Sequence, residues 1–174
     1  MIRTWISISV GFIVFILLQV LIFNNIHLFR LVTPFIYIYM ILKLPVDMGR
    51  SGVIFVSFLT GLVIDLFSNT FGIHAATCAL IGLVRTPLLH NWVEIKEIPE
   101  NSIPSYRLMG FSKFVRYALI ITVIHHTTLF VVESFSFFQP LFLIVKILSS
   151  ILFTTLLICI IEAFNPEAGR NGNQ

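Results

Sequence analysis

The sequence predicts an all-α integral membrane protein with six transmembrane helices, on three observations. Of its 174 residues 57% are hydrophobic and only 11% charged, more apolar surface than a soluble domain of this size can bury. The apolar residues fall into runs near the roughly 20 residues that a helix needs to cross the hydrocarbon core. The lysines and arginines concentrate in alternate connections between those runs.

The first run, 5–23, has no small-residue cleavage site after it, so it reads as a retained span and not as a signal peptide. The second, 26–44, is short and reaches spanning length only by starting near Ile26 or in a thinned bilayer. The third covers 52–67 and the fourth 71–89. The polar residues 68–70 between them suit a tight turn, making an antiparallel hairpin. Residues 90–112 carry mixed charge with Pro99 and Pro104, which predicts an ordered or partly ordered loop and not a second domain. The fifth and sixth spans cover 114–135 and 140–161. Residues 1–174 thus form a single membrane domain, with no internal repeat or low-complexity segment.

Six spans place both termini on one side. With the N-terminus cytoplasmic, the inner segments hold Arg3, Lys43, Arg50, Arg85, Lys96, Arg107, Lys113, Arg116 and Arg170, against Arg30 alone outside. Positive charge favours the inner side, so both termini and the 90–112 loop are expected in the cytoplasm. The net charge of +3 is scattered and gives no nucleic-acid footprint. Aromatic and basic residues alternate from Tyr106 to Tyr117, as expected of an interfacial anchor leading into the fifth span. Cys78 and Cys159 lie in apolar runs and read as packing residues.

Polar residues inside the spans mark the candidate site. Ser57, Gly61 and Asp65 recur every four residues on one face of the third span. Gly72, Ala75, Ala79 and Gly82 make a face of small residues on the fourth, and such faces let backbones pack closely in lipid. Asp65 and His74 flank the turn, Glu133 ends the fifth span, and Lys146 lies about 9 Å into the sixth at 1.5 Å per residue. Asp65, His74, Glu133 and Lys146 are therefore expected to meet in the outer half. An ion pair fixing helix register is favoured over a substrate or ion site. Asp65 is expected either to accept hydrogen bonds from the turn or to pair with Lys146 or His74.

His125 and His126 lie mid-span. No second pair at ligand spacing accompanies them, so neutral, hydrogen-bonded histidines are expected, with no metal and no cofactor. No nucleophile motif, phosphate loop or zinc-protease motif is present, so no catalytic residue is assigned and no enzymatic activity is expected.

Within residues 29–89, Pro34 opens a short apolar run that closes at Leu44-Pro45, followed by a basic loop, Gly61-x-x-x-Asp65-Leu66, a polar turn, and Gly72 before a helix of small residues. With these features the stretch resembles the bacterial rod-shape-determining protein family MreD. The rest of the chain is similar in topology alone. The resemblance implies a non-enzymatic scaffold in the bacterial inner membrane, contacting membrane lipids and supporting peptidoglycan synthesis and rod shape. Its implied partner is an MreC-like bitopic protein. Through that protein it would act with an MreB-like filament, a RodA-like glycosyltransferase and the penicillin-binding partner of that enzyme. It also implies a likeness to the substrate-binding subunits of energy-coupling-factor transporters, and with it an alternative function as a small-molecule-binding membrane subunit. Against that alternative, the first span offers only Ser7-x-x-x-Gly11 in place of an alanine-rich docking stripe.

Overall fold

A computed structural model describes residues 2–25, 32–92, 102–134 and 139–165. The described residues form seven α-helices in chain order: α1 (Ile2–Leu21), α2 (Ile38–Leu42), α3 (Arg50–Ser68), α4 (Ile73–Trp92), α5 (Tyr106–Met109), α6 (Phe111–Ser134) and α7 (Pro140–Phe164). A short 3-10 turn, Phe23–Asn25, follows α1. Among the described residues, four helices are long and apolar enough to cross a membrane: Arg50–Ser68, Ile73–Asn91, Phe111–Ser134 and Pro140–Phe164. In α1 the shorter stretch Ile8–Leu21 is apolar. This is a multi-pass membrane architecture: the four helices fall on the runs expected as the third, fourth, fifth and sixth spans, and α1 lies on the first run.

The expected second span does not take the form of a long helix. Residues 26–31 lie outside the described residues, and 32–37 are not helical. Among the described residues of the run, the only helix is α2, five residues long. Local chemistry explains this. The bulky pyrrolidine of Pro34 disfavours helical backbone at Thr33. Only ten residues separate Pro34 from Pro45, about 15 Å of helix, half the hydrocarbon core.

Instead the segment threads the bundle. Every residue from 34 to 46 is buried, and Tyr37, Ile38, Ile41 and Leu42 have no exposed surface. Non-helical backbone survives at membrane depth only where protein satisfies its polar groups, and the surrounding helices do so. From α7, Ser150 Oγ accepts from Thr33 N at 3.0 Å and Thr154 Oγ1 from Phe35 N at 3.3 Å. From α1, Gln19 accepts from Ile36 N at 2.8 Å and donates to the Pro34 carbonyl at 3.1 Å. Tyr117 of α6 donates to the Leu42 carbonyl at 3.3 Å, and Arg85 of α4 donates to that of Leu44.

The long helices share two ends. At the turn end, Asn24 after α1 donates to Ser68 at the close of α3, and Asn69 adopts the left-handed conformation (φ 54°) that caps α3. Gly72 also has positive φ (81°) and sits in this turn. It therefore does not belong to the α4 face where the sequence pattern put it. Within the hairpin, a Cβ built on Gly61 would lie 2.6 Å from the carbonyl carbon of His74 and from Cα of Ala75. A Cβ on Gly82 would lie 3.0 Å from that of Ser57. Ala75 is buried and Ala79 half-buried on α4. At the opposite end, the described part of the 90–112 connection folds back on the bundle. Ser102 accepts from Val46 N at 2.9 Å, and Ser105 caps α5 by accepting from Leu108 N at 3.2 Å.

Candidate functional site

Asp65 lies in the last turn of α3, buried to 3% exposure. Its carboxylate faces the start of α4 across the Gly61 contact, where the helix cannot supply acceptors for its own first N–H groups. It accepts from His74 N at 3.1 Å, from Ala75 N at 2.8 Å and from Thr70 Oγ1. Asp65 is thus a cap for α4 delivered from the preceding helix, where a negative charge also complements the helix dipole. Of the partners weighed from the sequence, the turn and the backbone of His74 take it. Lys146 instead pairs with Glu133 at 3.5 Å, longer than the roughly 2.7–2.9 Å of a tight charge-assisted bond.

The His74 ring turns inward. Its Nδ1 lies 2.8 Å from the Tyr37 hydroxyl, which lies 2.7 Å from His125 Nε2. His125 Nδ1 has no hydrogen-bond partner. A bare lone pair in a buried site is cheaper than an orphan N–H, so the consistent assignment puts the His125 proton on Nε2. His125 then donates to Tyr37, whose hydroxyl also lies within hydrogen-bond reach of His74 Nδ1. The neighbouring His126 is fixed separately: Nδ1 donates to the Thr122 carbonyl at 2.9 Å, so Nε2 accepts from Thr154 at 3.1 Å. Both histidines are thus hydrogen-bonded within the bundle. Among the described residues, no three His, Cys, Asp or Glu side chains are grouped to hold a metal.

A cavity of about 380 Å³ opens at the turn end, and His74, Glu133 and Lys146 all line it, with Thr33, Phe35 and Phe130. The four expected residues therefore divide. Three share this cavity, while Asp65 is committed to the hairpin behind it. Lys146 lies over the Phe130 ring, 4.2 Å from its centroid, and Glu133 is half exposed.

A second polar cluster occupies the opposite end, and sequence reasoning missed it. Lys43, at the end of the internal segment, pairs with Glu162 of α7 at 2.9 Å, with side chains 8% and 2% exposed. Glu162 also accepts from Tyr39 at 2.7 Å and from the backbone of Tyr106 at 3.3 Å. Arg85 of α4, at 1% exposure, donates to the carbonyls of Leu44 and Pro45, the next residues along the segment. Lys43 and Arg85 are thus buried groups and not loop charges. The signals were present: Arg85 lies inside the apolar run 71–89, and Glu162 follows the sixth run directly.

Comparison of the chain with protein-family models, with characterised proteins and with solved structures finds no match. The geometry by itself describes a multi-pass helical membrane protein built around an internal segment, with one polar cluster at each end of that segment.

Proposed function

We propose that the chain is a non-enzymatic scaffold of the cell-elongation machinery in the bacterial inner membrane, acting through an MreC-like bitopic partner. The observation that carries this reading is the use made of the residues behind the MreD resemblance. Pro34 and Pro45 bracket the buried segment, Gly61 and Asp65 lock the hairpin, and Gly72 turns it. These residues do architectural work, as a protein whose role is to hold partners requires. Through its partner the scaffold would reach an MreB-like filament on one side and a RodA-like glycosyltransferase with its penicillin-binding partner on the other.

In this reading the chain crosses the bilayer six times, the second crossing made by the internal segment, with both termini cytoplasmic. Removing the buried Lys43 and Arg85 from the inner tally leaves seven basic residues against Arg30, still a strong inward bias. The turn-end cavity favours a second reading, a small-molecule-binding subunit of an energy-coupling-factor-type transporter. Affinity purification in mild detergent separates the two. Recovery of an MreC-like protein supports the scaffold, and recovery of a transporter ATPase module defeats it.

A further inference from the structure

We propose that the turn-end cavity binds a zwitterion with an anion and a primary ammonium a few bonds apart, as in the phosphoethanolamine headgroup of an aminophospholipid. Three observations converge on that chemistry. First, the cavity wall carries one cation and one anion, Lys146 and Glu133, and their 3.5 Å contact is loose enough to open around an inserted group. Second, His74 is 6% exposed and its Nδ1 is engaged by Tyr37, so Nε2 is the ring nitrogen left to meet whatever occupies the cavity it lines. An anion held by Lys146 and His74, with its ammonium on Glu133, uses all three groups and leaves the wall neutral. Third, a further cavity of about 330 Å³ shares Phe130, Glu133 and Lys146 with the first. It is lined by Phe142 and Leu143 of α7 and so runs from the ion pair toward the α6–α7 flank. That groove gives an acyl chain a route to the bilayer while the headgroup sits inside. Phosphatidylethanolamine and a free amino-phosphate present the same group, and the groove favours the lipid.

The assignment stands apart from the rod-complex reading, since it rests on these side chains and not on a partner. It is tested by native mass spectrometry of the purified protein, released from detergent containing equal phosphatidylethanolamine, phosphatidylcholine and phosphatidylglycerol of one chain length. Phosphatidylethanolamine is expected to be retained preferentially, and Lys146→Gln to reduce its retention about tenfold or more, the loss of one charge-assisted contact. Glu133→Gln, at a half-exposed position, is expected to erase the preference over phosphatidylglycerol. Competition by free O-phosphoethanolamine supports recognition of the headgroup, and binding of that compound without lipid retention assigns the site to a soluble zwitterion. Equal retention of phosphatidylcholine, or a preference that survives both substitutions, overturns the proposal.

Discussion

Asp65→Ala removes the cap from α4 and leaves the rest of the hairpin in place. The carboxylate accepts from the N–H groups of His74 and Ala75 and from the Thr70 hydroxyl. The two N–H groups belong to the first turn of α4, where both residues are buried. Orphaning a buried donor costs about 1–3 kcal/mol, so the substitution is worth about 2–6 kcal/mol, with the hydroxyl free to turn elsewhere. For a chain of this length each kcal/mol moves Tm by about 2–4 °C, which predicts a drop of roughly 5–20 °C in detergent. Asp65→Asn is milder. An amide oxygen at the Oδ1 position keeps the His74 and Thr70 bonds, but its NH2 then faces the Ala75 N–H, one lost bond or about 1–3 kcal/mol. Thermal unfolding in one detergent, with amide hydrogen exchange at His74 and Ala75, measures both variants. Unchanged melting and exchange in Asp65→Ala would refute the cap. An Asp65→Asn protein that melts like the parent yet fails to restore cell shape would show that the carboxylate acts chemically and not structurally.

Three further expectations follow from the packing. Gly61→Ala places a Cβ against the backbone of His74 and Ala75, which cannot swing aside as a side chain can, and should destabilise by about 1–3 kcal/mol; normal yield and melting would contradict it. Lys43→Met strands the Glu162 carboxylate and should cost about 3–5 kcal/mol. Adding Glu162→Gln should recover part of that loss, and additive losses in the double-mutant cycle would count against the pair. For topology, in a chain with Cys78 and Cys159 replaced by alanine, Asn69→Cys should react with a membrane-impermeant thiol reagent from outside intact cells and Ser112→Cys should not. The reverse pattern would invert the orientation.

The long helices were legible because apolar runs of spanning length have few other solutions in lipid. The hairpin was legible in more detail, since small residues at helical spacing on both sides of a polar turn leave little freedom, and Gly61 does meet α4 closely. The segment from Pro34 to Val46 was not. Hydropathy measures whether a run is buried, and this run is buried, but in protein and not in lipid. Nothing local reports that its carbonyls and amides will be met by Gln19, Tyr117 and Thr154. The same blindness hid the Lys43–Glu162 pair, because a lysine at the end of an apolar run looks like an interfacial charge until a carboxylate from the far end of the chain arrives beside it. Of the expected outer cluster, proximity in depth was readable and pairing was not, since pairing depends on helix rotation: Asp65 turned toward α4, and Lys146 toward Glu133.

The internal segment constrains how the protein can be made. Thr33, Phe35, Tyr39 and Lys43 bond to α7 residues 117 to 123 positions downstream. A ribosome delivers α7 last among the described helices, so for most of synthesis this stretch has left the exit tunnel without the α7 groups that meet the Thr33 and Phe35 N–H groups and the Tyr39 and Lys43 side chains. It cannot wait in hydrocarbon as an extended strand. It must be sheltered by the insertion machinery, or at the aqueous surface, until the final helix arrives and the bundle closes around it. Closure over so long a loop is slow compared with the local pairing of α3 and α4. The hairpin would thus be an early landmark of biogenesis and the threading of Tyr37 between His74 and His125 a late one. Chains released before α7 would carry an unsheltered core segment, the kind of defect that membrane quality-control proteases can detect.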